Sequence, residues 1–237
     1  MRKTSSHRWV AVQLGLAFCL MSPTLTFPAH SQTGNPSRAE FPGRRIGGGT
    51  RGECLANRAS LIALNPANNL GVTASARPSV YFAIPALETT YPVKFTLRDR
   101  QNRSVYETTL SLAQGQSLLG VQLPANTVQT GQDYQWYFSV VCDAEDASQN
   151  IVLSGWMRRV AQPPNPSTPA GVEAALAQAM AYQAAGLSSD AIATLAQLRQ
   201  THPTHAQVER QWQQLMQSLG LETVVNSTLR PALVGRS

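Results

Sequence analysis

The chain has 237 residues, with 19 lysines and arginines against 13 aspartates and glutamates, which gives a formal net charge of +6. Three of the basic residues lie in the first 31 positions, which hold no acidic residue, so the remainder carries 16 − 13 = +3. Lys94 is the only lysine of that remainder. This composition lacks the lysine-rich stripe that neutralises phosphates and argues against nucleic-acid binding.

The N-terminus has the pattern of a secretory signal peptide. Three basic residues precede the apolar run Trp9–Met21, and small residues precede a cleavage point after Ser31. The run is shorter than the roughly 20 apolar residues that a membrane-spanning helix needs. We therefore predict a signal peptide over 1–31, and a periplasmic or secreted protein with no membrane span after its removal. The alternative is an uncleaved anchor.

A polar lead-in over 32–44, rich in Gly, Pro and Ser, precedes the stretch "GRRIGGGTRGEC" at 43–54. The stretch lacks the lysine and the following helix pattern of a phosphate-binding P-loop. Two interpretations stay open. It is a glycine hinge that turns the chain onto the next domain, or a nest of backbone amides that binds an anion with help from arginines. The candidate binding residues are Arg44, Arg45, Gly47, Gly48, Gly49 and Arg51.

We predict a β-sandwich domain over 45–160. From about residue 58 to 160, apolar and polar side chains alternate with a period of two, which is typical of strands. Without an intervening helix signal, the pattern predicts an antiparallel sandwich of the immunoglobulin or fibronectin-III type. The motif "GQDYQWYF" resembles the Gly-x-x-Tyr-x-Trp strand of fibronectin-type-III-like domains. The predicted strands lie in RASLIAL, LGVTAS, PSVYFAIP, the hairpin YPVKFTLRDRQNRSVYETTLSL, LLGVQLP, DYQWYFSVVC and IVLSGWMRRV.

Cys54 and Cys142 are the two cysteines outside the signal peptide. In an oxidising compartment an isolated pair predicts one disulfide. The alternative is two unpaired buried thiols. In "DYQWYFSVVC", Cys142 shares a face with Trp136, so the predicted bond would link the glycine-rich segment to the end of a central strand.

The C-terminal part predicts helices. A proline-rich linker over 161–168 leads into a helical domain over 169–226 and a tail over 227–237. The first helix is predicted from Pro169, with Thr168 as its cap, and the third is predicted to start with a Thr204–Gln207 capping box. Tetratricopeptide (TPR)-like spacing covers one repeat, so we expect a helical hairpin plus a third helix, packed as a small domain. The matching positions are Tyr182, Gly186, Ala191, Leu195 and Pro203.

Residues with catalytic potential are sparse. The histidines beyond the signal peptide are His202 and His205, which flank Pro203 in a predicted turn and offer too few ligands for a metal site. We predict no catalytic residue, no metal and no cofactor, and therefore a protein that is not an enzyme. Two further features have open interpretations. The acidic loop "CDAEDASQN" is a solvated hairpin loop or a calcium site, and Tyr81, Tyr137 and Trp156 form a sugar or partner face or fill the sheet.

The motifs "GRRIGGGTRGEC", "ARPSVYFAIP", "GQDYQWYFSVVCD" and "SGWMRRV", with the tail "DAIATLAQLRQ…WQQLMQSLGLETV", resemble the family called domain of unknown function 928, over about 41–225. The resemblance implies an exported bacterial protein, mainly cyanobacterial, and implies no catalytic residue.

From these residues we predict a non-enzymatic envelope protein that binds or braces a protein partner. The alternative is a carbohydrate- or anion-binding module that uses the Arg/Gly-rich segment 44–52. The ligand, the oligomeric state and the packing of the helical tail are left open by the sequence.

Overall fold

The structure, a computed structural model, describes residues 41–47, 55, 60–115, 117–161 and 170–222. Within these residues nine strands are followed by three helices, which confirms a mainly β chain with an α-helical tail. No helix in these ranges is long and apolar enough to cross a membrane. The strands are β1 (Ile46–Gly47), β2 (Leu61–Ala63), β3 (Leu70–Thr73), β4 (Ser79–Ala83), β5 (Tyr91–Asp99), β6 (Ser104–Leu112), β7 (Leu118–Gln122), β8 (Asp133–Val140) and β9 (Ile151–Arg159). The helices are α1 (Val172–Ala184), α2 (Ser188–Thr201) and α3 (Ala206–Ser218).

The strands form two sheets. One has four strands in the order β1-β2-β4-β7, and the other has five in the order β3-β9-β8-β5-β6. The predicted hairpin is confirmed as β5 and β6, which pair antiparallel with Lys94 opposite Thr109. The prediction of a wholly antiparallel arrangement is wrong at one place, because β3 runs parallel to β9 with Leu70 opposite Trp156.

The main core lies between the two sheets. In β8 the alternate residues Tyr134, Trp136, Phe138 and Val140 are buried, as their period of two predicts. Phe82 of β4 stacks on Phe138 with ring centroids 3.9 Å apart. The inward faces of both sheets therefore supply a shared apolar interior.

A second core lies between the four-stranded sheet and the helices. In β2, Leu61 and Ala63 face the main core, whereas Ile62 faces the helices. The four-stranded sheet is thus covered on both faces, by the other sheet and by α1–α3. Apolar residues of α3 and its C-cap pack in this second core, namely Val208, Trp212, Leu215, Met216 and Leu219.

Glycines with positive φ follow α1 and α3, whereas the predicted cap of α3 is absent. After α1, Gly186 has φ +73°, and the Leu187 amide donates to the Tyr182 carbonyl, as in a Schellman motif. Gly220 plays the same role after α3, with φ +65°. The predicted Thr204–Gln207 capping box is wrong, because His205 is the N-cap and makes no side-chain cap bond. Residues 162–169, which include Thr168, Pro169 and nearly all of the proline-rich linker, lie outside the described residues, and α1 begins at Val172.

The free edge of β3 is covered by the start of α2. The Val72 amide donates to Ser188 Oγ at 3.2 Å, and the Ala74 amide donates to Asp190 Oδ2 at 2.6 Å. Gly71 immediately precedes these contacts, and a Cβ there would come within 2.7 Å of Ser189 Oγ. Side chains of a helix N-terminus therefore satisfy main-chain donors that an edge strand would expose.

Candidate functional site

The predicted Arg/Gly segment joins the two sheets. Arg44 forms an antiparallel bridge with Ser154 of β9, in the five-stranded sheet. The following residues, Ile46 and Gly47, pair with β2 in the four-stranded sheet. The chain thus crosses one side of the β layers within four residues. Gly48, Gly49, Arg51 and Cys54 lie outside the described residues.

The two adjacent arginines have different surroundings. Arg44 is exposed, whereas Arg45 is half-buried, and its Nη1 donates to the Asn65 carbonyl at 2.7 Å and to the Leu219 carbonyl at 2.9 Å. Leu219 is the C-cap of α3, where carbonyls lack partners within the helix. Burial lowers the pKa of Arg45, and Glu222 partly offsets that effect. Arg45 therefore holds the end of α3 to the β2–β3 loop.

Gly43 and Gly47 allow close contacts rather than forming a nest in this part of the segment. A Cβ on Gly43 would lie 2.1 Å from Asn69 Nδ2 and 2.5 Å from the Ser154 carbonyl oxygen. A Cβ on Gly47 would lie 2.8 Å from Leu153 Cδ2. The described half of the segment fits the hinge interpretation, because each small residue faces an occupied surface.

Buried asparagines of the β2–β3 loop tie this segment to the sheet. Asn69, at φ +63°, donates from Nδ2 to the Ser154 carbonyl at 3.2 Å. Asn65 donates from Nδ2 to the Asn69 carbonyl at 2.8 Å. A cavity beside Asn65, with room for roughly one water molecule, is bordered by Tyr81 and Ser189. This cavity is too small for an organic ligand.

The five-stranded sheet has an outer face, opposite the main core, that carries polar and aromatic side chains. Cross-strand pairing places Arg98, Gln135 and Trp156 in one row, and Thr96, Tyr137, Ser154 and Arg44 in the next. Side chains opposite each other in a sheet share a face. We use the name outer face for this surface, with its residues Arg44, Lys94, Arg98, Gln135, Tyr137 and Trp156.

Aromatic and cationic groups alternate on the outer face. The Arg98 guanidinium lies 5.5 Å from the Tyr137 ring centroid, in cation–π range. Trp156 packs edge-on against Phe41 with centroids 5.8 Å apart, and its Nε1 donates to the Pro42 carbonyl at 2.9 Å. Tyr81, the third predicted face aromatic, is elsewhere: it packs against the helical core, and burial raises its pKa.

Asp133 anchors one end of the outer face. Its carboxylate is buried and accepts hydrogen bonds from Arg158 and Arg100, with Arg158 Nη2 at 2.8 Å from Oδ2. The Arg158 hydrogen bond, with Arg100 in support, lowers the pKa of Asp133 despite the opposing effect of burial. Lys94 at the other end pairs with Glu107 at 3.0 Å. Among the described residues, Arg44 and Arg98 are in no salt bridge, and we call these two the surplus cations. Arg98 donates to Asn102 Oδ1 at 2.9 Å. The Lys94 hydrogen bond, with the Arg98 charge in support, lowers the pKa of Glu107.

The acidic loop uses its carboxylates locally. Asp143 Oδ1 accepts from the Glu145 amide at 2.7 Å, and Asp146 accepts from the Ser148 amide at 2.9 Å as the cap of a single 3-10 turn. The histidines lie in the α2–α3 turn, where His205 Nε2 is 3.8 Å from Glu173 Oε1. In the ranges that the structure describes, no group of three potential ligands could hold a metal ion.

Cys142 lies just after β8, half-buried against the main core, as its shared face with Trp136 predicts. Its amide donates to Asn150 Oδ1 at 3.1 Å. The predicted partner, Cys54, is outside the described residues.

Sequence reasoning missed Arg98, Gln135 and Lys94 as site residues. The alternation in β5 and β8 does assign them to the solvent side, but it does not say that these two strands are neighbours. That neighbourhood follows from the order β9-β8-β5, which joins strands distant in the chain.

Comparison with family models assigns the chain to a class without a known activity. The model named Domain of Unknown Function (DUF928) matches residues 46–229. The chain therefore belongs to the DUF928 family, as its motifs indicate. A search of curated proteins found no match.

Proposed function

We propose that this protein is a non-enzymatic, exported envelope protein that binds an acidic protein partner through its outer face. The observation that carries the proposal is the arrangement of Tyr137 and Trp156 on adjacent strands, with the surplus cations Arg44 and Arg98 beside them. Arg44 and Arg98 are separated by three strand spacings, so they lie about 15 Å apart in the direction perpendicular to the strands. Aromatic and arginine side chains on a rigid surface are the groups enriched at protein interfaces.

The rigidity of the outer face supports binding rather than turnover. Five of its six residues lie on β5, β8 and β9, which pair along their lengths, and the sixth, Arg44, bridges Ser154 of β9. The reverse side of these strands is the main core. Asp133, the buried carboxylate on this face, is held by two arginines and its pKa is lowered, so it is a poor general base at neutral pH.

The partner assignment is tested by removing the surplus cations. Arg44→Ala/Arg98→Ala protein should recover much less of the partner from a periplasmic extract than the unchanged protein does. The matched control is Arg77→Ala/Arg210→Ala, which removes two exposed arginines outside the outer face. Equal recovery by both double variants would reject the outer face as the binding surface.

A second candidate function is binding of an anionic carbohydrate by the same surplus cations. It is favoured by the exposure of Arg44, which belonged to the predicted Arg/Gly site, and by its position in the Tyr137 row. Titration with an acidic polysaccharide distinguishes the two. Saturable binding that the Arg44→Ala/Arg98→Ala variant loses supports the carbohydrate, and no binding supports the protein partner.

Export and the Cys54–Cys142 disulfide belong to the same proposal. The signal-peptide pattern supports export, and the disulfide-bonded state of Cys142 supports the pairing. The bond would tie the Arg/Gly segment to the end of β8 and stabilise the fold by about 4–5 kcal/mol in the chain-entropy model. Mass spectrometry of periplasmic protein should find a chain that starts at Gln32 and thiols that resist alkylation without reductant.

We also infer kinship of the β layers with immunoglobulin-type domains. The orders β2-β4-β7 and β9-β8-β5 correspond to A-B-E and G-F-C of that architecture. A TPR-like origin of α1 and α2 is supported by Ala191 and Leu195, which are buried in the helical core, and by the turn at Gly186. An experimental structure superposed on both architectures would test these assignments.

A further inference from the structure

The last strand of the five-stranded sheet, β6, has an open edge. Its side chains at Glu107, Thr109 and Ser111 are exposed, and β5 is its one strand neighbour within the described residues. Nine residues is long for an edge strand, and β6 contains no proline or lysine, the residues that commonly block such edges.

The direction of the main-chain groups along β6 follows from two hydrogen bonds of β5. The Val141 amide donates to the Pro92 carbonyl, so Pro92 faces β8, and the alternate residue Val93 faces β6. The Asp99 amide donates to the Arg103 carbonyl, which agrees with that alternation.

The partners of Val93, Phe95 and Leu97 are Leu110, Thr108 and Tyr106, whose main-chain groups consequently face β5. Those of Glu107, Thr109 and Ser111 point away from the sheet. No described residue pairs with them, so within the described residues they form a row of unpaired donors and acceptors about 14 Å long.

We propose that β6 pairs antiparallel with β6 of a second copy of this chain, which joins two five-stranded sheets edge to edge. In the register that pairs Glu107, Thr109 and Ser111 of both copies, Thr109 lies opposite Thr109 of the second copy. Glu107 then lies opposite the second copy's Ser111. This register forms about six hydrogen bonds and brings no like charges into opposition. A register centred on Glu107 would oppose two carboxylates. The bulge between Leu97 and Arg98 ends the regular edge before Val105.

The other edge of the same sheet explains why the partner is one further copy rather than a growing fibre. At β3 the outward amides of Val72 and Ala74 are already taken by Ser188 and Asp190 of α2. A sheet with one open and one closed edge can pair once, which gives a closed two-fold dimer. This pairing is independent of the proposed partner binding. It would place two outer faces side by side, so a partner with two binding sites would bind the dimer with higher avidity than a single chain.

The test compares two substitutions at the proposed two-fold axis. Thr109→Glu sets two carboxylates against each other across the axis, yet within one chain it faces Lys94, which favours the fold. Thr109→Gln is the matched neutral control. In sedimentation equilibrium at high micromolar concentration we expect the unchanged protein and Thr109→Gln to be dimers and Thr109→Glu to be a monomer. A monomeric unchanged protein, or a Thr109→Glu protein that remains dimeric, overturns the proposal.

Cysteine cross-linking checks the register independently. Residues that face each other in a hydrogen-bonded pair have Cα atoms about 5.5 Å apart, within the range of a disulfide. Thr109→Cys protein should therefore form a covalent dimer under mild oxidation, whereas Ser111→Cys protein should not, because two copies of residue 111 lie far apart. Cross-linking of Ser111→Cys in preference to Thr109→Cys contradicts the register.

Discussion

Asp190, in the first turn of α2, accepts the Ala74 amide at 2.6 Å and the Thr73 hydroxyl at 2.6 Å, so a helix N-terminus caps the end of an edge strand. Asp190 is buried, and the two donors come from a residue pair more than 110 positions earlier in the chain. The contact links the helical layer to the five-stranded sheet without passing through the second apolar core.

Replacing Asp190 with Ala should destabilise the fold by about 1–3 kcal/mol, because a buried amide and a hydroxyl lose their acceptor. Asp190→Asn keeps an acceptor oxygen and should lose much less. Urea unfolding of both variants measures the difference. Equal loss in Ala and Asn would mean that the negative charge, and not the hydrogen bonds, provides the stabilisation.

The contributions of Asp133 and Asp190 to folding stability should change with pH in opposite directions. The hydrogen bonds from Arg158 and Arg100 lower the pKa of Asp133, so its contribution to stability is present above its unfolded pKa, about 4. That contribution is lost as the pH falls through the lower folded value. Burial raises the pKa of Asp190 above that of an unfolded aspartate. Ionisation of Asp190 therefore lowers the folding stability as the pH rises above the unfolded pKa, about 4.

We therefore expect Asp133→Asn to remove part of the acid-induced loss of stability and Asp190→Asn to leave that loss in place. Thermal melting between about pH 3 and pH 7 measures both. An Asp133→Asn profile with the same acid-side slope as the unchanged protein would contradict the assignment.

The sequence predicted elements well and neighbours poorly. Alternation placed Trp136 and Phe138 of β8 in the core, since one face of that strand meets the main core and the other meets solvent. In β2 the pattern breaks, because Leu61, Ile62 and Ala63 are all buried between two layers. A run of consecutive apolar residues indicates burial on both faces but does not say which elements provide the cover.

The parallel pairing of β3 with β9 and the inward turn of Arg45 depend on segments far apart in the chain. Local periodicity carries no information on such contacts, so the sequence grouped Arg44 with Arg45 and did not indicate that Arg45 turns inward. Arg44 and Arg45 differ because Arg44 bridges β9 whereas Arg45 donates to the end of α3, and both of these neighbours are distant in the chain.

Gly43 should not tolerate a side chain. A Cβ added at this position would meet Asn69 Nδ2 and the Ser154 main chain well inside contact distance, and the main chain cannot move aside cheaply. We expect Gly43→Ala to cost about 1–3 kcal/mol in unfolding free energy, the usual range for overpacking. Gly115→Asn is the control, since Gly115 has open space around it and Asn tolerates its φ of +75°. Similar stability of both variants would remove the close-packing role assigned to Gly43.

Arg44 and Arg45 offer a matched pair that separates binding from folding. Arg45→Ala leaves the Asn65 and Leu219 carbonyls without their donor and should destabilise the fold by about 1–3 kcal/mol. The same change at the exposed Arg44 should alter stability by no more than about 0.5 kcal/mol, while weakening partner recovery. Hydrogen exchange should show faster opening at the C-terminal end of α3 in Arg45→Ala alone, because that guanidinium is the link between the helix end and the β2–β3 loop. If Arg44→Ala opened the same helix end, or if Arg45→Ala left its exchange unchanged, the division of labour between the two arginines would be wrong.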